Sequence, residues 1–247
     1  MSERFLEGRV ALVTGASRGI GYHAALGYAR AGAHVVALAR TTGGLEELDD
    51  AVRAAGSQAT LVPLDLADGP AIVRLAEALA ERFGRLDVLL GNAAQLGQAT
   101  PVGHMADADW LRVMEVNLHA NWRLLRALDP LLRQSVAGRT LFVTCETARD
   151  APAFIAAYAA SKAGLEALVR SYAKEVARTA VRANLVLAPA AATRLRLQYV
   201  PGEDRDALSA PETVAESIVR ATQRAGECNG ATWNVATDAW LEPLTAS

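Results

Sequence analysis

A doubly wound α/β fold, with seven parallel strands in one sheet and helices on both faces, is what this sequence predicts. Three observations carry that prediction. Short β-branched runs bounded by Gly, Asp or Asn alternate with longer Ala- and Leu-rich segments of helical period. Several short runs are apolar without interruption, as expected of strands covered on both faces. A glycine-rich turn joins the first run to the first helical segment.

The predicted strands are 10–14, 34–39, 60–64, 88–90, 140–144, 182–187 and 232–235. Between them the helical period predicts helices over 20–31, 45–55, 71–83, 109–133, 156–178 and 211–225. Parallel neighbours need crossovers of this length, so each helix serves as a connection from one edge of a strand to the next. Gly43-Gly44 and the stretch 201–206 read as surface loops. No repeat, low-complexity tract or linker divides the chain, so residues 1–247 are expected to form a single domain.

Composition excludes several function classes. With 51% hydrophobic residues in 247, the chain can bury one extensive core. A net charge of -2 leaves no basic excess for a nucleic-acid partner. No apolar run approaches the roughly 18–20 residues that span a bilayer, and the first eight residues lack the apolar stretch of a signal peptide. No membrane association and a cytoplasmic location are the expectations. Cys145 and Cys228 are too few for a disulfide framework, and the four histidines are scattered, so no metal site is expected.

The segment Val10-Ala-Leu-Val-Thr-Gly-Ala-Ser-Arg-Gly-Ile-Gly21 runs from a buried strand through a glycine-rich turn into a helix. Gly15 permits the tight turn, Gly19 lets the backbone approach a pyrophosphate, and Gly21 allows close packing of the helix. Ser17, Arg18 and Ile20 complete the loop. The helix start then offers unpaired N–H groups and a positive dipole end to an anion.

The spacing Gly-x-x-x-Gly-x-Gly resembles that of the short-chain dehydrogenase/reductase family. The resemblance covers nearly the whole chain: Thr14 to Gly21, Asp65-Leu66, Asn92-Ala93-Ala94, Asn117, Tyr158-x-x-x-Lys162, Arg182-Ala-Asn184 and the closing stretch from Asn229 to Val235. It implies a Rossmann-like domain, a nicotinamide dinucleotide cofactor, and assembly as a homodimer or homotetramer. Relatives that use the unphosphorylated cofactor carry an acidic residue after the second strand, where this chain has Ala39. Arg40 follows, and Arg18 lies in the glycine-rich loop. A guanidinium fork suits a 2′-phosphate, and the missing carboxylate removes a repulsion against it, so NADP(H) is expected over NAD(H).

The resemblance also implies that Asp65 and Leu66 border the adenine, with the Asp65 carboxylate accepting from its amino group. Asn92, Ala93 and Ala94 would lie beside the cofactor. Ala94 stands where the family has glycine and is tolerable only if its φ stays negative. Pro189 and Ala192 belong to the cofactor-binding stretch after the sixth strand, where Pro189-Ala190 replaces Pro-Gly. Thr193 falls one place short of the usual threonine, and Arg194 takes that place. Residues 190–210 are the expected substrate lid, in which Arg194 and Arg196 would face either an acidic substrate group or solvent.

Tyr158 and Lys162, four apart on a helix, share one face. A nearby ammonium favours the phenolate, so Tyr158 is the expected acid/base and Lys162 its support. Lys162 would also hold the nicotinamide ribose, as in the family. Asn117 matches the family asparagine that supports a water-linked path from the lysine, and Asn121 lies one turn beyond it. Cys145 departs from the pattern: thirteen residues before the tyrosine the family has a serine that orients the substrate oxygen. A thiol donates weakly, so Cys145 is either an imperfect replacement or a small buried hydrophobe. Thr147 is an alternative donor; Thr144 should point to the other side. An oxidoreductase acting on a small-molecule carbonyl or secondary alcohol is the leading reading. The competing one is a catalytically degenerate dinucleotide-binding protein with a sensing or assembly role. Elimination or epimerisation on the same pair is a third.

Overall fold

The computed structural model describes residues 4–241. Met1-Ser2-Glu3 and the last six residues of the expected domain lie outside the described residues.

One sheet organises the chain: β1 (Val10–Thr14), β2 (His34–Ala39), β3 (Ala59–Pro63), β4 (Val88–Gly91), β5 (Arg139–Thr144), β6 (Arg182–Leu187), β7 (Thr232–Asn234) and β8 (Ala239–Leu241), in the spatial order β3-β2-β1-β4-β5-β6-β7-β8. All pairs from β3 to β7 are parallel. The seven expected strands are therefore present, with ends shifted by at most one residue. The eighth corrects the expected count. It is an antiparallel edge strand with Trp240 opposite Trp233, their rings 5.1 Å apart and edge to face. Asp238 holds the turn between them in a left-handed conformation (φ 52°), its carboxylate accepting from Ser217 and Arg220. Three residues are too few to show a strand period, which is why sequence pattern misses β8.

Nine α-helices cover the sheet among the described residues: α1 (Gly19–Arg30), α2 (Gly43–Ala54), α3 (Gly69–Phe83), α4 (Asp107–Met114), α5 (Ala120–Gln134), α6 (Thr147–Asp150), α7 (Ala156–Glu175), α8 (Arg194–Tyr199) and α9 (Pro211–Arg224). Side chains of β1 and β2 explain their unbroken apolar character. Ala11, Val13, Val35 and Ala37 join the core under α1, α2 and α9, while Val10, Leu12, Val36 and Leu38 join the one under α3, α5 and α7. Each strand thus buries both faces.

Three helical expectations are corrected. The helix expected over 109–133 is two helices joined by a π turn at Glu115–His119. Gly43 and Gly44 form the first turn of α2 rather than a surface loop. A short 3₁₀ turn at Arg205–Ala207 enters the end of the stretch expected to be loop.

A buried carboxylate ties the amino end of the sheet together. Asp87, 2% exposed, accepts from the Val10 N–H at 2.9 Å, Arg85 Nε at 3.1 Å and Ser135 Oγ at 2.6 Å. Asp87→Ala strands two buried donors at once and is expected to destabilise the fold by about 2–3 kcal/mol, measured by urea unfolding. Ser135→Ala, which leaves the strand contact intact, should cost about 1 kcal/mol.

Candidate functional site

The order of strands reverses between β1 and β4, where a parallel sheet opens a crevice beyond its carboxyl ends. Thr14 and Asn92 brace the two sides of that crevice. Thr14 Oγ1 accepts from the N–H groups of Asn92 (2.9 Å) and Ala93 (3.0 Å), and Asn92 Nδ2 donates back to the Thr14 carbonyl at 2.9 Å. The Asn92 side chain therefore shapes the crevice wall rather than pointing into open space.

The glycine-rich loop turns against this brace. Gly15 and Gly19 have φ of +69° and +57°, left-handed values that favour glycine. At Gly21 a Cβ would lie 2.3 Å from the Gly15 carbonyl oxygen and 2.5 Å from Asn92 Nδ2, so only glycine lets α1 approach. Gly44 plays the same part from α2, where a Cβ would meet the Ser17 carbonyl oxygen at 2.5 Å. No side chain caps α1 at Arg18, which leaves its first N–H groups without a capping acceptor, as an anion cradle requires. The side of Gly19 facing Thr193 would leave a Cβ at ordinary contact distance, 3.5 Å from the threonine methyl. The cradle fits a dinucleotide pyrophosphate on these grounds.

Ala39 is buried at the end of β2, and Arg40 and Arg18 are exposed on the rim. Among the described residues neither arginine forms a salt bridge, whereas fifteen other pairs do. Asp65 has partners within the chain. Its carboxylate accepts from Arg112 Nη2 at 2.8 Å and from the Ala67 N–H at 3.0 Å. Partial burial opposes its ionisation, but these bonds and the nearby charges of Arg112 and Arg40 hold its pKa below the usual carboxylate value. Arg112, on α4, was not legible as a site residue because its partner is 47 positions away. Leu66 is buried beside Asp65, and Ala93 and Ala94 are half-buried on the crevice wall. Ala94 is not among the residues of positive φ, so the condition for replacing glycine there is met.

On the far side of the crevice, β5 delivers its last residues to α7. Cys145 Sγ lies 3.7 Å from Tyr158 Oη, so the thiol occupies the position expected of the serine hydroxyl. Thr144 points the other way, as strand alternation demands, and donates to Glu166 Oε1 at 2.9 Å. Thr147 begins α6 and makes no recorded side-chain bond to Tyr158.

Tyr158 is 8% exposed and Lys162 2%. The expected lowering of the phenol by the ammonium is not what this arrangement produces. Burial pushes the Tyr158 pKa well above its ordinary value, and the Cys145 thiol adds to the rise. Lys162 Nζ instead donates to the Val143 carbonyl at 2.7 Å and sits 5.8 Å from the centre of the Tyr158 ring. Burial lowers the lysine's own pKa, opposed by Cys145 and Glu166.

Asn117 is fully buried in the π turn. Its side chain accepts from the Gln95 N–H (2.8 Å) and donates to the Gln95 carbonyl (2.9 Å) and to Ser161 Oγ (3.0 Å). It therefore ties the segment after β4 to α7 one residue before Lys162, without touching the lysine. Asn121 donates to the Asn117 carbonyl at 2.7 Å, which satisfies a backbone acceptor in the widened turn.

The expected lid is a stapled excursion. Ala191 bridges Ser209 at its base, and the Ala192 N–H donates to the Ser209 carbonyl at 2.9 Å, so the backbone donor of Ala192 is already engaged. Pro189 is half-buried just before the staple. Within the excursion α8 lays Leu195 and Tyr199 against Leu96, Ile155 and Tyr158, and Gln198 Nε2 donates to the Gly97 carbonyl at 3.3 Å. Arg196 is held by Glu203 through two bonds, at 2.6 and 2.5 Å, so it is not free for an acidic substrate. Arg194 is exposed.

A glycine cradle at the strand reversal, facing a Tyr and a Lys one helical turn apart, defines a dinucleotide-dependent oxidoreductase of the Rossmann-like class. The chain belongs to the short-chain dehydrogenase/reductase family, whose sequence pattern, described as short chain dehydrogenase, matches residues 9–204. It is 35% identical to the oxidoreductase YciK of Escherichia coli K12 over 212 residues, 85% of this chain and 84% of that one. It is 32% identical to the 3-oxoacyl-[acyl-carrier-protein] reductase FabG of Pseudomonas aeruginosa, over 82% of this chain and 81% of that one. A short chain dehydrogenase structure from Pseudomonas syringae superimposes with a TM-score of 0.89 at 38% identity, covering 94% of this chain and 96% of that one. One from Shigella flexneri, solved in complex with NADP, gives 0.90 at 31%, covering 95% and 99%. The protein is accordingly a dehydrogenase/reductase acting on CH–OH or C=O groups, with a nicotinamide cofactor.

Gly21→Ala should separate the cradle from the fold. The added methyl forces α1 away from Gly15, and dinucleotide affinity is expected to fall by roughly tenfold or more, equivalent to losing one good hydrogen bond. Calorimetric titration with the cofactor checks this, beside a far-ultraviolet spectrum showing the helices intact.

Proposed function

We propose that the protein is an NADP(H)-dependent reductase of a neutral carbonyl, with Tyr158 as proton donor, Lys162 and Asn117 as its supports and Cys145 in place of the orienting hydroxyl. The observation that carries this reading is the contact of Cys145 Sγ with Tyr158 Oη, with Lys162 buried one turn away. Gly15, Ser17, Arg18, Gly19, Ile20 and Gly21 would hold the pyrophosphate, and Asp65, Leu66, Asn92, Ala93, Ala94, Pro189 and Ala192 would border the rest of the cofactor. When bound, the cofactor supplies the hydride received by the carbonyl carbon.

The residues of this chain supply the proton. Burial keeps Tyr158 a neutral phenol, which suits donation to a carbonyl oxygen as that oxygen gains charge. Lys162 would hold the ribose and oppose the charge left on Tyr158 as the proton departs. Cys145 would touch the same substrate oxygen, more weakly than a hydroxyl would. Asn117 acts by holding Gln95 and Ser161 in place around the pair.

Several observations support the finer points. Arg18 and Arg40, exposed without ion partners among the described residues, suit a 2′-phosphate beside Ala39. Solved relatives of 31% and 33% identity carry NADP and NADPH. Leu96, Ile155, Leu195 and Tyr199 give the cleft at Tyr158 an apolar wall, which favours an uncharged substrate. Residues 190–210 would act as the lid of one catalytic domain. Trp110, Leu111 and Trp122 expose apolar surface on α4 and α5 that a homodimer or homotetramer would cover. A cytoplasmic location is part of the same reading; no helix among the described residues is long and apolar enough to cross a membrane.

NADPH is expected to bind more tightly than NADH, and Arg40→Ala to weaken NADPH selectively by about tenfold to a hundredfold, the usual range for one charge-assisted pair. Calorimetry with both cofactors checks this; equal affinities would remove the case for a phosphate pocket.

Cys145→Ser is expected to raise the single-turnover rate of NADPH oxidation with a simple diketone by about tenfold to a hundredfold. Tyr158→Phe should abolish transfer in both backgrounds. Turnover that survives Tyr158→Phe would reject the proton-donor role.

A further inference from the structure

The end of β5 and the residue after it meet α7 through three consecutive residues, of which the proposed chemistry uses only Cys145. The Val143 carbonyl accepts from Lys162 Nζ at 2.7 Å, Thr144 Oγ1 donates to Glu166 Oε1 at 2.9 Å, and Cys145 Sγ faces Tyr158 Oη at 3.7 Å. On α7 the partners are Tyr158, Lys162 and Glu166, at intervals of four, so they stack along one face of the helix. Glu166 is the unexplained member. It is a carboxylate only 5% exposed, one turn beyond a buried ammonium.

Both of its carboxylate oxygens are engaged. Thr144 donates to one oxygen, and Arg170 Nη2 on α7 donates to the other at 2.7 Å. Arg149 Nη2 from α6 stands 4.0 Å from the first oxygen. A buried carboxylate held by donors on both oxygens makes a rigid connection, because breaking either bond leaves charge uncompensated in the interior. A hydrophobic residue would pack α7 on β5 equally well, yet would leave Thr144 without an acceptor.

We propose that Glu166 is a positioning residue of the active site: it clamps the end of β5 to α7 through Thr144, so that Val143 and Cys145 are presented to Lys162 and Tyr158, and it supplies the negative charge nearest the lysine along the helix. The inference rests on the reading of Tyr158 and Lys162 as the catalytic pair. Glu166 acts through these groups and does not itself touch substrate.

The charge has a measurable consequence. The groups facing Lys162 are Tyr158 and Glu166 on its own helix and Cys145 just after β5; those facing Glu166 are Arg170 on α7 and Arg149 on α6. Burial disfavours the ammonium, while Cys145 and then Glu166 favour it. Glu166→Gln keeps an oxygen for Thr144 but removes the charge and leaves Arg170 without its carboxylate, while Arg149 keeps Glu146 at 3.7 Å. Each change disfavours the ammonium, so Lys162 must lose its proton at lower pH. Arg170→Gln removes a cation instead and must move Lys162 the opposite way.

The chain has two lysines, Lys162 and Lys174, so carbon-13 labelling at lysine Cε gives two resonances, assigned with Lys174→Arg. Titration of the full-length protein reads Lys162 directly, without requiring turnover. The Lys162 midpoint is expected to fall by roughly one pH unit in Glu166→Gln, the scale of one partly compensated charge at this range, and to rise in Arg170→Gln. The alkaline limb of single-turnover NADPH oxidation should move with it. An unmoved Lys162 midpoint in both variants would overturn the proposal, as would a shift of the same sign in the two. Should Glu166→Gln not fold, the rise or its absence in Arg170→Gln decides. The catalytic reading fails separately, by turnover that persists in Tyr158→Phe whatever the lysine titration shows.

Discussion

The hydroxyl of Thr14 is the point from which the site is built. It closes the gap between the carboxyl ends of β1 and β4, where neighbouring strands send their connections to opposite faces and the sheet would otherwise part. Asn92 completes the brace by donating to the Thr14 carbonyl. Only with these ends fixed does the turn at Gly15 meet α1 at Gly21 closely enough to exclude any side chain. The cradle is a consequence of backbone contact, and the glycines record where that contact occurs.

The opposite wall follows a different physical rule. Here backbone and side chains of β5 engage α7 through buried polar bonds, and each bond removes a freedom from a group that chemistry needs held still. Burial also sets the protonation. It keeps Tyr158 a phenol and weakens the hold of Lys162 on its proton. The π turn at Asn117 adds a third anchor, since widening the helix frees a carbonyl that Asn121 then satisfies.

Above the site, α8 is kept rigid by its own chemistry. Arg196 binds Glu203 and lies 5.5 Å from the Tyr199 ring centre, and Tyr199 packs against Leu96 and Ile155. The arginine that sequence offers as a partner for an acidic substrate is thereby a structural element of this excursion.

The sequence by itself determined the alternation of strands and helices, because strands buried on both faces must be apolar throughout and helices must carry a 3.6-residue period. It also determined the glycine turn and the Tyr158–Lys162 pair, since both are local spacings on single elements. The break in the long helix at Glu115–His119 escaped it, because a π turn inserts a register change without altering composition. So did Gly44, Arg112 and Glu166. Gly44 meets Ser17 across 27 positions of chain, Arg112 meets Asp65 across 47, and Glu166 meets Thr144 across 22. Their significance lies in partners that only the folded sheet brings near. Tertiary structure likewise decided the state of Tyr158: spacing places an ammonium on its face, but burial and the Val143 carbonyl, neither visible in one dimension, decide where that charge acts.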